Sequence, residues 1–446
     1  MTPPFVSGTR LLGSMGEFRK SPQRFVLKLH RELGDAFIYR KAFWTTCLFA
    51  HPDQIKHVLQ DNSRNYNKDT FDWKNIRAFF GTSSLTADGE PWVRRRRLVQ
   101  PSFHNDRLVA IAEIVTTASG QMLRDWEKLE QRREPIDIAA EMMRLTLKVV
   151  GSALFSSDLL DEAEVIDQAT AAILEYFEHQ VTTILPLPLN VPTAHNRKFK
   201  ANMKNFHRVV MRITNARRAR DAWPDDLLTM LLTAREHELD TGMSDAELLD
   251  EVVTMIFAGY ETTATALAWT WFLLSKYPEV THKLELEVDQ VLNGKTPGFA
   301  DLPKLTYAQM VFRESMRLYP PVWILSRRAI ADDVVGGYDV PAGSVIALSP
   351  YVTHRHSSFW ENPEAFVPER FATEFAQHRP RYSFFPFGGG PRQCVGHAFA
   401  QMEAALIIAM VTQRYRLHLV PGHDVKPLPL GILRPLHGIP MTLHCR

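Results

Sequence analysis

One segment constrains the chain more than any other. Between Ser244 and Pro278, apolar residues recur at Leu249, Val252, Val253, Ile256, Phe257, Tyr260, Leu267, Trp271 and Leu274. This spacing keeps a single stripe on one face of an α-helix for about nine turns. Ser244-Asp245-Ala246-Glu247 opens the run with a capping box, in which serine and glutamate each satisfy an orphan backbone amide, and Pro278 closes it. A helix of this length is expected to run through the whole domain, with the remaining elements packed around it.

The rest of the sequence predicts a mainly α fold with a smaller β-rich part. Residues 35–39 and 45–50 alternate as a hairpin does. Residues 108–292 read as mostly helical, and a second capping box, Thr306-Tyr307-Ala308-Gln309, starts a helix that Pro320 and Pro321 end. Residues 344–349 carry a strand signal, and a last helix is predicted over 395–414. Between them, residues 354–390 are irregular and rich in Pro, Phe and Gly; a structureless stretch of that length in a compact domain is usually functional. No repeat or linker divides the chain, so residues 1–446 are expected to form one domain.

Composition excludes several classes. The formal net charge of the 446 residues is +2, which gives no electrostatic support to a global nucleic-acid-binding role. The three cysteines, Cys47, Cys394 and Cys445, are too few for a disulfide framework or a plant-type iron–sulfur cluster and fit a reducing compartment. The N-terminus lacks a signal-peptide pattern, and no later run is long and apolar enough to span a membrane. The chain reads as a cytoplasmic, soluble monomer.

The most informative segment is Phe387-Gly388-Gly389-Gly390-Pro391-Arg392-Gln393-Cys394-Val395-Gly396. Its glycines allow positive φ and close approach of the backbone to a flat partner. Cys394 stands at the start of the predicted last helix, where backbone amides favour a thiolate, and Arg392 adds positive charge nearby. Three readings follow: a structural cysteine beside a turn, a thiol nucleophile with His397 or His354 as base, or a haem ligand. The order Phe, Gly, Arg, Cys, Gly at these spacings resembles the signature of the cytochrome P450 family. The resemblance implies an α+β triangular-prism fold with a long central oxygen-binding helix, haem b (iron protoporphyrin IX) as cofactor, and Cys394 as the iron ligand.

Other segments carry the same resemblance in the same order, from residue 92 to residue 396. Trp92 and Arg96 match a Trp-x-x-x-Arg element, followed by Pro101-Ser102-Phe103, and with Arg327 and Arg392 they are implied to contact the haem propionates; Arg328 is an adjacent alternative to Arg327. Ala258-Gly259-Tyr260-Glu261-Thr262-Thr263 lies mid-way along the long helix. By itself it reads as threonines bonding back to carbonyls, with Gly259 marking a local opening or the approach of a ligand. By resemblance, Thr262 is the oxygen-binding, proton-delivering alcohol and Glu261 its acidic neighbour. Glu314 and Arg317 share a helix face and by themselves make an ordinary i,i+3 pair; the resemblance adds Arg370, from Pro368-Glu369-Arg370-Phe371, in a buried structural cluster that braces the cysteine loop. Phe387, Gly388 and Gly396 of the loop, and Gly259, are implied to lie against the cofactor.

The implied reaction inserts one atom of dioxygen into a lipophilic small molecule such as a fatty acid, terpenoid or aromatic. The electrons are expected from a separate ferredoxin or flavodoxin with its reductase, docking in part on the arginines of the 94–97 run. Candidate substrate contacts are Phe79, Phe80, Phe257, Ala258, Val322, Trp323 and Ile324. A haem-thiolate enzyme that uses peroxide or rearranges hydroperoxides is one alternative; a cysteine hydrolase and a haem-binding sensor are others. The intact Glu261-Thr262 pair favours the monooxygenase.

Overall fold

The computed structural model describes residues 1–6, 8, 13–183, 186–237 and 243–446. The predicted long helix spans Asp245–Lys276, and its Ser244 and Glu247 make both bonds of the capping box. Helices over Asn105–Gln131, Ile138–Phe155, Ala163–Thr182 and Ala194–Arg218 fill the region read as helical. The Ile138–Phe155 helix packs closely along the long helix: a Cβ on Gly259 would come within 2.9 Å of Val150 Cγ2. The glycine therefore has a packing reason of its own, and the long helix stays α-helical through it, without the local opening read from the sequence.

The β-rich part joins distant pieces of the chain, as the sequence predicts. Ala36–Lys41 and Trp44–Phe49 form the antiparallel hairpin. Trp44–Phe49 then pairs in parallel with Val345–Leu348, which pairs antiparallel with Leu325–Ala329. A second sheet sets Pro440–Cys445 between Tyr415–Leu419 and Ile136–Asp137. A short hairpin, Pro427–Pro429 with Leu433–Pro435, meets the long helix where Trp269 Nε1 donates to the Leu433 carbonyl at 2.7 Å.

The Thr306–Leu318 helix corrects one expectation. Thr306 and Gln309 do not form a capping box: the helix has no side-chain cap of its own. Glu287, from the preceding Pro278–Leu292 helix, accepts from the Tyr307 and Ala308 backbone amides at 2.6 and 2.9 Å and takes that role. A carboxylate at a helix N-terminus satisfies orphan amides and the dipole together.

The same helix carries the predicted ion pair, and both partners are fully buried. Arg317 Nε and Nη2 donate to Glu314 at 2.7 and 2.8 Å. Its remaining three N–H groups donate to the carbonyls of His354, Pro363 and Ala365, so all five guanidinium donors are used. Glu314 also accepts from Val367 N and lies 3.5 Å from Arg370 Nε. One pair thus fixes the start of the irregular stretch. Glu314→Ala is expected to lower stability by about 3–5 kcal/mol by leaving Arg317 buried without its counter-ion, read from the midpoint of urea unfolding.

Candidate functional site

A series of hydrogen bonds runs from that ion pair to Cys394. His354 lends its carbonyl to Arg317 and accepts at Nε2 from Phe385 N at 3.0 Å. The Phe385 carbonyl accepts from Gly388 N, and the Phe387 carbonyl from Cys394 N, both at 3.0 Å. Gly388 and Gly390 hold φ of +69° and +62° in this turn. Gly390 has no room for a side chain: a Cβ would lie 1.8 Å from the Leu59 carbonyl oxygen. The helix that follows starts at His397, two residues later than predicted. Phe103 packs against Gly396, so the Pro-Ser-Phe segment meets the cysteine loop.

Cys394 is solvent-accessible, yet burial among surrounding protein pushes its thiol pKa up. Both hold for a side chain on the wall of an interior space. The Gly396 N–H and Arg96 pull the other way, toward the thiolate. Arg392, expected to be the cation beside the sulfur, points elsewhere: it donates to the Ala87 carbonyl and to Asp88, and stacks 3.9 Å over Trp92. Neither histidine is placed to act as a base on the sulfur. His354 Nε2 is occupied by Phe385 N, and His397 Nδ1 faces the Cys394 carbonyl at 3.1 Å. A thiol held protonated by burial, with no base, is a poor nucleophile.

Next to the sulfur lies an excess of buried positive charge. Lys68, Arg77, Arg327 and Arg392 surround one carboxylate, Asp88, which lies 2.8 Å from Arg392 and 3.3 Å from Arg77. Burial lowers the pKa of Arg327 and of Arg392 to about 10 each, and lowers that of Lys68 well below its ordinary value. Among the described residues, the Arg327 side chain donates only to its neighbour's carbonyl, Ser326 O. Arg96 makes no hydrogen bond among the described residues and acts electrostatically on both Arg392 and Cys394, which links the cations to the sulfur. Buried cations in excess of their counter-ions call for anions. Two carboxylates on one edge of a flat ligand whose centre takes the thiolate fit these residues, and a haem has that form. Strand alternation separates the two arginines: Arg327 joins this cluster, and Arg328 acts on Asp69 instead. Lys68, Asp88 and Arg77 are absent from the sequence reading because each is unremarkable in its own segment.

The long helix offers one opening. From residue 251 to 271, every side chain is buried except Ala258, Gly259 and Thr262, which share a face as i, i+1 and i+4. Thr262 Oγ1 donates to the Ala258 carbonyl at 2.9 Å, which leaves its lone pairs free to accept. Glu261 is turned away, fully buried, with Arg434 Nε 3.1 Å from Oε1. Burial pushes its pKa up to about 7 against the opposing effect of Arg434.

The proposed substrate contacts divide. Phe79, Phe80 and Phe257 form a buried aromatic group, with ring centroids 4.6 and 5.1 Å apart in succession. Ala258 belongs to the opening, and Val322 is partly exposed. Trp323 is not brought to this group: it is buried in a separate cluster with Phe18, Phe25 and Tyr39, and its Nε1 donates to the Leu430 carbonyl; Ile324 packs against that cluster too. The basic run is also not the open patch expected. Arg95 is buried against Glu247 and Glu251, which leaves Arg94 and Arg97 exposed.

Comparison with known proteins finds relatives along nearly the whole chain. The family model described as Cytochrome P450 matches residues 3–441. The chain is 34% identical to cyclooctatin synthase of Streptomyces melanosporofaciens, over 97% of this chain and 94% of that protein. It is 34% identical to cyclooctat-9-en-7-ol 5-monooxygenase of the same organism, over 94% and 91%. Pentalenene oxygenase of Streptomyces avermitilis is 30% identical over 96% and 95%.

The loop geometry predicts a graded effect of two similar substitutions. Gly388→Ala meets no atom within 4 Å and adds only a strained φ, about 1–2 kcal/mol. Gly390→Ala collides with the Leu59 backbone. After purification, the first variant is expected to keep most of its haem absorbance and the second to lose most of it.

Proposed function

The chain belongs to the cytochrome P450 family, and on that premise we propose that it is a haem-thiolate monooxygenase that hydroxylates a terpenoid or similarly lipophilic hydrocarbon, built as one domain over residues 1–446 around haem b. The observation that carries the reading is an accessible Cys394, with neither His354 nor His397 placed as its base, beside a group of cations that share one carboxylate, Asp88, among the described residues. Cys394 would ligate the iron; Lys68, Trp92, Arg96, Arg327 and Arg392 would hold the propionates. Haem, when bound, supplies the activation of dioxygen. The protein's own task is to exclude water, orient the substrate and hold protons at defined atoms. Phe80, Phe257 and Ala258 supply apolar surface beside the opening, and Thr262 supplies a hydroxyl there. The terpenoid preference rests on the named activities of the relatives.

The glutamate–threonine pair separates the monooxygenase from a peroxygenase, because only activation of dioxygen has to draw protons in. Electrons would come from a separate acidic ferredoxin or flavodoxin. A cleft of about 320 Å³ behind the cysteine loop, lined by Arg313, Arg379, Arg381, Gln393 and His397, has charge that suits such a partner. None of the described helices is long and apolar enough to cross a membrane.

Reduction under carbon monoxide tests the ligand. The wild type is expected to show the strongly red-shifted Soret band of thiolate ligation and Cys394→His to lose it; a wild type without that band refutes the reading. Thr262→Ala is expected to consume electrons with dioxygen at a similar rate but to form several-fold less product per electron. Unchanged product per electron would remove Thr262 from the proton path.

A further inference from the structure

The long helix has a second polar face, opposite in character to the first. We propose that Arg434 is a positioning residue that sets the charge of Glu261, and that the cleft beside it admits the protons Glu261 passes on; this rests on the monooxygenase reading above.

Neither carboxylate oxygen of Glu261 makes a hydrogen bond among the described residues, although the side chain is fully buried. Such a group is costly to ionise unless a cation stands by it. That cation is Arg434, which reaches in from the Leu433–Pro435 strand and keeps 23% of its side chain exposed. Arg434 therefore connects a sealed carboxylate with solvent. It lines a cleft of about 340 Å³ enclosed by the Ile138–Phe155 and Ala163–Thr182 helices, the long helix and the C-terminal hairpin. At liquid density that volume holds several waters.

Two further groups make this cleft a path. Thr265 lines it one helical turn beyond Glu261 and on the same face. Thr265 is buried, and its Oγ1 has no hydrogen-bond partner among the described residues. Asp167 lines the same cleft and is exposed. The charged groups that act on Glu261 are Arg434 from the hairpin, which favours the carboxylate, and Asp167 from the Ala163–Thr182 helix, which disfavours it. Arg144, from the Ile138–Phe155 helix, also lines the cleft and acts on Asp167. The neighbouring Tyr260 hydroxyl is bonded to Thr170.

The proton balance is simple. A hydronium O–H bond in the cleft breaks, leaving water, as its proton forms an O–H bond on the Glu261 carboxylate. That bond breaks in turn as the proton passes to Thr262 Oγ1 while the threonine's own hydroxyl proton leaves toward the opening, so the alcohol stays neutral and Glu261 returns to its ion pair. Arg434 keeps its own protons throughout.

The test titrates the Glu261 carboxyl by its infrared carbonyl band in the purified holoprotein without reductant, with Glu261→Gln identifying the band. Wild type is expected to titrate near pH 7. Arg434→Gln should move the midpoint up by about one pH unit or more, Asp167→Asn should move it down, and Arg434→Lys should restore most of the wild-type value. Midpoints that stay put, or that move the same way in Arg434→Gln and Asp167→Asn, overturn the charge assignment and leave the monooxygenase reading intact. Thr265→Val should leave the midpoint unchanged and lower product per electron; an unchanged ratio overturns the route. If Glu261→Gln itself leaves product per electron unchanged, the proton role in the underlying reading fails instead.

Discussion

The fold around the cysteine depends on the satisfaction of one buried guanidinium. The irregular stretch brings the carbonyls of His354, Pro363 and Ala365 to the Thr306–Leu318 helix, away from any strand or helix partner of their own. Buried carbonyls without donors would be costly. Arg317 supplies all three donors while its other two N–H groups grip Glu314, and Glu314 in turn orders Val367. A buried ion pair is weak evidence of net stability. Here it organises chain that has no regular structure, and the bonds from His354 to Phe385, Gly388 and Cys394 carry that order to the sulfur.

Charge is sorted into two separate environments. One contains Lys68, Arg77, Arg327 and Arg392 with Asp88, and borders Arg96 and Cys394. The other contains Glu261, Arg434 and Asp167. Cations in excess hold the first in readiness for anions. In the second, a carboxylate with a pKa of about 7 is balanced between its charged and neutral forms at physiological pH. A group poised in this way suits proton transfer better than a permanently ionised one.

Much of this was legible in the sequence, because it is written in local patterns. The long helix follows from periodicity and a capping box, and Glu314, Arg317 and the cysteine turn follow from spacing within a few residues. What was not legible depends on partners far apart in the chain. Lys68 and Asp88 are single polar residues in ordinary segments and gain meaning only when the Leu325–Ala329 strand brings Arg327 against them. Glu287 caps a helix that has cap-like residues of its own, since a neighbouring carboxylate reaches the amides first. Arg95 belongs to a run that reads as solvated, but its helix rests on the acidic end of the long helix. Trp323 looks like pocket lining by composition, whereas its indole N–H is committed to Leu430.

The position of Thr262 is likewise set from outside its own helix. Gly259 allows Val150 to close on the helix, and Thr146 Oγ1 donates to the Tyr260 carbonyl at 3.0 Å. The Tyr260 hydroxyl meets Thr170 at 2.5 Å, and Trp269 is bonded to Leu433. These contacts come from three other elements, the Ile138–Phe155 helix, the Ala163–Thr182 helix and the Leu433–Pro435 strand, and all lie within two turns of Thr262. Helical propensity alone would allow that stretch, with Gly259, Tyr260, Thr262 and Thr263 close together, to fray or bend. Cross-linked in this way, it presents a hydroxyl on one face and a carboxylate on the next, about 100° round the helix, and the backbone that carries both is tied to other elements on either side. Rigid support of that kind is what a positioned proton donor requires.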